Sequence, residues 1–272
     1  MQGIRRSIAT DLKIDYLNAL LRVGFHTLDF GSFVSPKAVP QMADTAKVLA
    51  GLELDGIATR LLAIVANERG AEDAVQYDEI AYLGYPFSIS ETFQRRNTNA
   101  GIEASMGRVE AISKLAQARG KELVLYLSMA FGNPYGDPWS VELAIEHSHR
   151  LYERIGVKII ALSDTIGSSS AESIEALFKD LIPALPDIEI GAHLHSTPQH
   201  WREKLEAAYN AGCRRFDGAL KGYGGCPMAR EELTGNMPTE SMLSYFAERQ
   251  IPTGVNEEAL AEALMKSNEV FA

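Results

Sequence analysis

The sequence predicts an α/β fold of the (β/α)8 TIM-barrel type, in which seven of the eight strands are visible. Short apolar runs alternate with amphipathic helical segments along the 272 residues. Several runs, such as 123–127 and 159–162, are apolar on both faces, which is typical of parallel strands covered by helices. No linker or low-complexity tract interrupts this alternation, so residues 1–272 are interpreted as a single TIM-barrel catalytic domain. A doubly wound open sheet is the lesser alternative.

Each element is assigned from its hydrophobic period and its flanking residues. Strands are expected at 27–33, 57–65, 79–84, 123–130, 158–162, 189–195 and 214–220. Helices are expected near 12–22, 40–50, 70–77, 101–119, 140–155, 171–182, 200–211, 239–249 and 256–269. Glycines stand where five of these helices should end, at Gly24, Gly51, Gly120, Gly156 and Gly212.

The visible strands are one fewer than a closed barrel requires. The chain opens on a helix at 10–23 instead of on a strand. A closed barrel of this type needs eight strands, because an open sheet exposes two unpaired edges. We therefore expect either that the first strand precedes residue 1, so that the domain is N-terminally truncated, or that the sheet is open. In both cases the visible strands should leave a gap between 27–33 and 214–220.

Composition indicates an ordinary globular protein of enzyme size and favours the cytoplasm. The chain is 46% hydrophobic and has a net charge of −10, which argues against a nucleic-acid partner or a membrane-surface partner. Its two cysteines, Cys213 and Cys226, are too few for a disulfide framework, so a reducing compartment is expected. The N-terminus has no apolar segment of the signal-peptide kind.

Two histidines near the end of the strand predicted at 189–195 are the strongest functional signal. His193 and His195 stand two residues apart, so their side chains project from one face of a strand. Paired imidazoles on one face commonly begin a divalent-metal site, and barrel enzymes keep their chemistry at the carboxyl ends of the strands. A single histidine is usually structural, but this pair favours a metal.

A glycine-rich segment at 222–227 follows the last predicted strand and contains Cys226. Three glycines and a proline are sufficient for a flexible turn. The alternative is a mobile loop that brings the Cys226 thiol over the site as an acid, base or nucleophile. Residue types alone leave both interpretations open, whereas Cys213 is expected to be a packing residue.

Two acidic residues end predicted strands or follow them directly. Asp29 lies at the end of the first visible strand, and Asp164 follows the strand predicted at 158–162. Carboxylates at successive strand ends converge on the mouth of a barrel. Each can also be a helix cap or an Asx-turn, so each is ambiguous by itself. Lys37 and the Arg95–Arg96 pair are compatible with phosphate binding, but such residues are more often solvated surface charges.

Taken together, these residues make the chain resemble the 3-hydroxy-3-methylglutaryl-CoA lyase family of barrel metal enzymes over nearly its whole length. The shared motifs are SFVSPK at 32–37, VPQM at 39–42, SETF at 90–93, GNPY at 132–135, SDTIG at 163–167, HLH at 193–195, GYGGCP at 222–227 and GNMPTE at 235–240. The resemblance implies that His193, His195 and Asn236 ligate a divalent metal. Oxygen and imidazole ligands suit Mg²⁺ or Mn²⁺.

The resemblance also implies the remaining roles. Cys226 would be the catalytic residue of the loop, Asp164 and Asp29 would act at the substrate, and Ser32 and Glu240 would bind it. The substrate would be an acyl-CoA, and the chain would be able to form a homodimer. The expected reaction is cleavage of 3-hydroxy-3-methylglutaryl-CoA to acetoacetate and acetyl-CoA.

Three departures from the family pattern leave alternatives open. The family's Arg-Asp pair at the end of its first strand would precede residue 1, Asp29 replaces a glutamate, and Ser196 replaces an aspartate. One alternative is a truncated homologue that is inactive or only binds acyl-CoA. Another is a lyase for a related 3-hydroxyacyl-CoA.

Overall fold

The centre of the molecule is a seven-stranded parallel sheet. The structure is a computed structural model, and it describes residues 1, 4, 6–225 and 234–271. The strands lie side by side in chain order, and each pairs in parallel with the next. They are β1 (Thr27–Ser32), β2 (Arg60–Ile64), β3 (Ile80–Ser88), β4 (Glu122–Ser128), β5 (Ile159–Ser163), β6 (Glu189–His193) and β7 (Arg215–Phe216). The predicted number and order of the visible strands are confirmed.

Helices connect the strands and form the outer layer of the described fold. They are α1 (Thr10–Val23), α2 (Thr45–Ala50), α3 (Glu68–Ala74), α4 (Glu91–Thr98), α5 (Ile102–Ala118), α6 (Val141–Ile155), α7 (Ala171–Ala184), α8 (Trp201–Asn210), α9 (Thr239–Glu248) and α10 (Glu257–Phe271). The segment predicted as one helix at 40–50 divides into a short 3-10 turn, Pro40–Met42, and α2. The sequence-based assignment also missed α4, which is polar and only eight residues long. None of these helices is both long and apolar enough to cross a bilayer.

Local sequence sets the helix ends where it offers a cap. The Ser140 hydroxyl accepts a hydrogen bond from the Leu143 amide at 3.1 Å and begins α6. Gly156 ends the same helix with φ of 68°, a backbone conformation that costs residues with a Cβ more than it costs glycine.

Strand β3 runs four residues past the predicted end at Gly84, through Pro86 to Ser88. The Gly84 carbonyl accepts from the Val65 amide on the β2 side at 2.8 Å, and backbone directions alternate, so position 86 also faces that side. Strand β2 has already ended at Ile64, so the missing N–H of Pro86 removes no ladder bond. The register with β4 therefore continues to Ser88.

Strand β7 is much shorter than the predicted 214–220, and this assignment was wrong in length. It pairs with β6 only through Arg215 and Phe216. Beyond Asp217 the chain leaves β6, and the Ala219 amide donates to the Met237 carbonyl at 3.0 Å. Among the described residues β1 and β7 each have one strand neighbour, so the predicted gap between them is confirmed.

The sheet separates two apolar regions. Its convex face packs against the helices in one extended core. Its concave face contains a smaller cluster of Leu62, Tyr82, Val124 and Ile159, which come from four successive strands. The sheet curls around this cluster as in a TIM barrel, the predicted fold class. Side chains above and below the cluster on the same face are the polar ones described next.

Candidate metal centre

His193 and His195 lie together at the carboxyl end of β6, as the two-residue period predicts. Their ring centroids are 5.6 Å apart, and the ring planes meet at 63°. His193 is partly exposed, whereas His195 is only 3% exposed. The Tyr126 ring, from β4, packs edge-on against His193 with a centroid distance of 5.1 Å. Two imidazoles from one short segment therefore face the mouth of the sheet.

Each imidazole is oriented through its Nδ1 atom. The His193 Nδ1 lies 3.1 Å from the Asp217 carboxylate. The His195 Nδ1 lies 3.0 Å from the Thr234 carbonyl oxygen. Both partners offer acceptor oxygens, so Nδ1 of each ring carries a proton. In His195, which is neutral at pH 7, Nε2 therefore keeps its lone pair. This tautomer, with an acceptor behind the ring, is the usual arrangement of histidines that ligate metals.

Asn236 contacts His195 through the main chain and also contacts the start of the glycine-rich segment. It forms an antiparallel bridge with His195. Its amide N–H donates to the Gly222 carbonyl at 3.0 Å, and its side-chain Nδ2 donates to the Tyr223 carbonyl at 2.8 Å. Among the described residues, no hydrogen bond engages its Oδ1 atom, which can accept or ligate. The structure thus brings together the three residues predicted to ligate a metal.

Burial shapes the electrostatics of this end of the sheet. Desolvation, reinforced by the neighbouring His193, lowers the pKa of His195 to about 4, so the ring is neutral at pH 7. Desolvation raises the pKa of Asp29 above its usual range, and the Met1 amino group, followed by the His193 ring, partly opposes that shift. Solvent still reaches Asp29 through the concave face. A neutral imidazole suits a ligand role, and a carboxylate with a raised pKa suits an acid–base role.

The donors fit a small divalent cation. Two imidazole nitrogens and one amide oxygen provide ligands without a net charge of their own, which leaves positions for substrate or water oxygens. Among the described residues, no group of three or more His, Cys, Asp or Glu side chains could hold a metal ion. The candidate site therefore depends on the amide of Asn236 as well as on the two imidazoles.

Asp164 is also at a strand end, but both of its oxygens are engaged. Its Oδ1 accepts from the Ser168 amide at 2.8 Å, and its Oδ2 accepts from the Ser169 amide at 3.1 Å and from Lys204 Nζ at 2.8 Å. The side chain is 1% exposed. Its predicted role at the substrate remains a prediction, and the contacts that the structure describes are structural.

The remaining predicted residues lie at different distances from this centre. Ser32 ends β1, and its buried Oγ has no hydrogen-bond partner among the residues that the structure describes. Glu240 accepts from the Lys221 amide at 2.9 Å and so supports the start of the glycine-rich segment. Cys226 lies outside the described residues. Cys213 is fully buried, and desolvation raises its thiol pKa to about 12, in agreement with the expected packing role.

Sequence reasoning missed the residues that support the imidazoles. Asp217 lies inside the strand predicted at 214–220, two positions after Arg215. Because side chains alternate along a strand, this spacing could have indicated that Asp217 faces the same side of the sheet as the site. Thr234 and Lys204 gave no signal, because they lie on segments that approach the histidines only in the folded chain.

Comparisons with known proteins agree with this geometry. Residues 1–265 match the family model described as HMGL-like. The cytoplasmic 3-hydroxy-3-methylglutaryl-CoA lyase of Rattus norvegicus is 32% identical over 266 residues, which are 97% of this chain and 76% of that protein.

Two solved structures show the same architecture. An HMG-CoA lyase from Brucella melitensis is 28% identical with a TM-score of 0.90, and the match covers 98% of this chain and 93% of that one. An HMG-CoA lyase from Acinetobacter baumannii, in complex with coenzyme A and 3-methylmalate, is 28% identical with a TM-score of 0.90. That match covers 99% of this chain and 87% of the other.

Proposed function

Because the chain belongs to the HMGL-like family, we propose that it is a carbon–carbon lyase that cleaves 3-hydroxy-3-methylglutaryl-CoA to acetoacetate and acetyl-CoA. One observation carries this proposal. Two neighbouring imidazoles each have an acceptor at Nδ1, and Asn236 forms a backbone bridge with one of them, His195. The names of the relatives, and the coenzyme A in the Acinetobacter structure, support an acyl-CoA substrate.

The proposed cofactor is Mg²⁺ or Mn²⁺, held by His193, His195 and Asn236. When bound, a divalent cation would polarise the substrate's hydroxyl and carbonyl oxygens and so ease formation of an alkoxide. The supports behind the ligands matter because they set ring orientation before the cation arrives.

The chain's own residues would move the protons. We assign Asp29 as the base that takes the C3 hydroxyl proton, since desolvation raises its pKa and it lies near His193. The C2–C3 bond then breaks, and its electron pair forms the enolate of acetyl-CoA while C3 becomes the ketone carbon of acetoacetate. Cys226, or a water that it positions, would return a proton to the enolate carbon.

Release of acetoacetate from 3-hydroxy-3-methylglutaryl-CoA tests the proposal directly. We expect turnover with Mg²⁺ or Mn²⁺, loss of turnover with a chelator, and recovery when the cation is restored. The variant Glu189→Gln, on the same strand as His193 but at its opposite end, is the matched control and should keep its activity. Bound coenzyme A without cleavage would favour a binding protein, and cleavage of only a different 3-hydroxyacyl-CoA would change the substrate.

We also propose a cytoplasmic location and a homodimeric assembly. A cytoplasmic location is supported by the two cysteines of the sequence, one of which, Cys213, is a buried free thiol. A homodimer is the assembly expected from the family resemblance, and sedimentation of the purified chain tests it.

A further inference from the structure

A buried lysine lies directly behind the candidate metal centre. Lys204 is on α8, and its side chain is 4% exposed. Its ammonium contacts three acceptors: the Asp164 carboxylate at 2.8 Å, the His195 carbonyl at 2.9 Å and the Gly167 carbonyl at 3.1 Å. An ammonium has three donors, so none remains for a substrate. The lysine acts on the protein itself.

The position of Lys204 is unfavourable for helix stability alone. It is the fourth residue of α8, near the helix N-terminus, where the partial positive charge of the backbone disfavours a cation. Burial of the ammonium adds a desolvation penalty. Asp164 compensates for both effects, and its own carboxylate is fixed by the Ser168 and Ser169 amides. A conflict between local preference and tertiary structure often marks a functional position.

The three contacts converge on His195 from two sides. On one side, Lys204 holds the His195 carbonyl and hence the main chain that carries the ring. On the other side, it holds Gly167, next to Ile166, whose carbonyl accepts from the Thr234 hydroxyl at 3.3 Å. The Thr234 carbonyl is the acceptor for the His195 ring. One ammonium therefore connects the backbone of His195 with the loop that supports its ring partner.

We propose that Lys204 is a positioning residue that holds His195 in the orientation that binds the metal ion. The inference rests on the proposed function, since it takes His195 to be a ligand. Asp164 then acts through Lys204 as its counter-charge. Lysine is specifically suited to this position, because three separate acceptors surround one compact charge.

The test is Mn²⁺ binding to the metal-free protein, measured by electron paramagnetic resonance of the free ion, together with the visible spectrum of the Co²⁺-loaded form. We expect Lys204→Met to bind Mn²⁺ roughly 10–100-fold more weakly, the usual effect of losing support behind a ligand. The Co²⁺ spectrum should also change, because it reports ligand geometry.

Lys121→Met is the matched control. Lys121 is also a buried lysine, and its ammonium donates to the Tyr77 and Ile80 carbonyls at 2.6 and 2.7 Å, at the opposite end of the sheet. Its loss should reduce stability but leave Mn²⁺ affinity and the Co²⁺ spectrum unchanged. If Lys204→Met fails to fold, the variant Asp164→Asn with Lys204→Gln removes the ammonium without leaving an unpaired buried carboxylate, and the same weakening is expected.

The outcomes separate the two proposals. If the natural chain binds no Mn²⁺, the proposed metal site fails and the inference fails with it. If the natural chain binds Mn²⁺ but the Lys204 variants bind it equally well with the same Co²⁺ spectrum, only the positioning role is overturned. If neither Lys204 variant folds while Lys121→Met does, Lys204 is a stability residue and the positioning role is likewise overturned.

Discussion

The two ends of the concave face differ in how their charges are compensated. At the amino ends of the strands, Arg60 pairs with Glu122 at 3.3 Å, and Arg215 pairs with Glu189 at 3.2 Å. The Arg60 guanidinium also lies over the Tyr82 ring at 4.2 Å. Each of these two arginines has an anionic partner on another strand.

The carboxyl ends of the same strands carry groups of another kind. Desolvation lowers the pKa of His195, so that the ring is neutral at pH 7, and desolvation raises the pKa of Asp29. The His193 ring is partly exposed, and its Nδ1 contacts Asp217 at 3.1 Å. Among the described residues, the two imidazoles and the Asp29 carboxylate at this end have no buried opposite charge paired with them, whereas Asp164 is paired with Lys204.

The contrast runs along single strands. Strand β6 begins with Glu189, in an ion pair, and ends with His193, in the candidate metal centre. A fold can leave donors unsatisfied only where stability elsewhere compensates, and that is the expected signature of a functional end.

Removing both imidazoles should abolish the function of the carboxyl end. The double variant His193→Ala with His195→Ala should lose Mn²⁺ binding and fall to background turnover, because two of three proposed ligands are gone. Calorimetric titration with Mn²⁺ and the acetoacetate assay measure this. Glu189→Gln is the same-strand control, and equal losses in both variants would erase the contrast between the two ends.

Cys226 should matter for turnover but not for metal binding. Replacing it by serine should lower kcat by roughly 10²–10⁴-fold, the scale of a positioned acid or base. Mn²⁺ affinity should stay unchanged. Cys213→Ala should show the opposite pattern, with lower stability and near-normal kcat. A Cys226→Ser enzyme with full kcat would remove this residue from the mechanism.

Asp217 should have an intermediate effect, because it acts behind a ligand. Asp217→Ala should weaken Mn²⁺ binding about 10–100-fold. Asp217→Asn keeps an oxygen that accepts from His193 Nδ1 and should fall between that variant and the natural chain. The idea is wrong if alanine and asparagine at this position bind Mn²⁺ as tightly as aspartate does.

The smallest effect is expected at the amino ends. Arg60 and Glu122 are 42% and 45% exposed, so solvent screens their attraction. A double-mutant cycle with Arg60→Met and Glu122→Gln should give a coupling of about 0.2–1 kcal/mol in urea unfolding. Mn²⁺ affinity should not change. A coupling well above this range, or a loss of affinity, would show that the two ends are not independent.

Elements that depend on residues close together in the sequence could be predicted. Alternating βα segments require parallel neighbours in chain order, so the order of β1 to β7 followed from the sequence. The His193–His195 pair was equally accessible, because the two-residue period of a strand is a local property. Strand lengths were less so: Pro86 is tolerated in β3 only because β2 ends before it.

The supports of the site were decided by tertiary structure. Asp217 reaches His193 because β7 lies beside β6, and Thr234 reaches His195 because its segment returns to the sheet after the glycine-rich stretch. Lys204 lies within a predicted helix, and only the folded chain brings its ammonium into contact with Asp164 and the His195 carbonyl. The sequence by itself determined which chemical groups stand at the strand ends, since backbone periodicity places them. Which groups are neutral, which nitrogen is free and which charge is buried depended on long-range packing, because desolvation and hydrogen-bond partners exist only once distant segments meet.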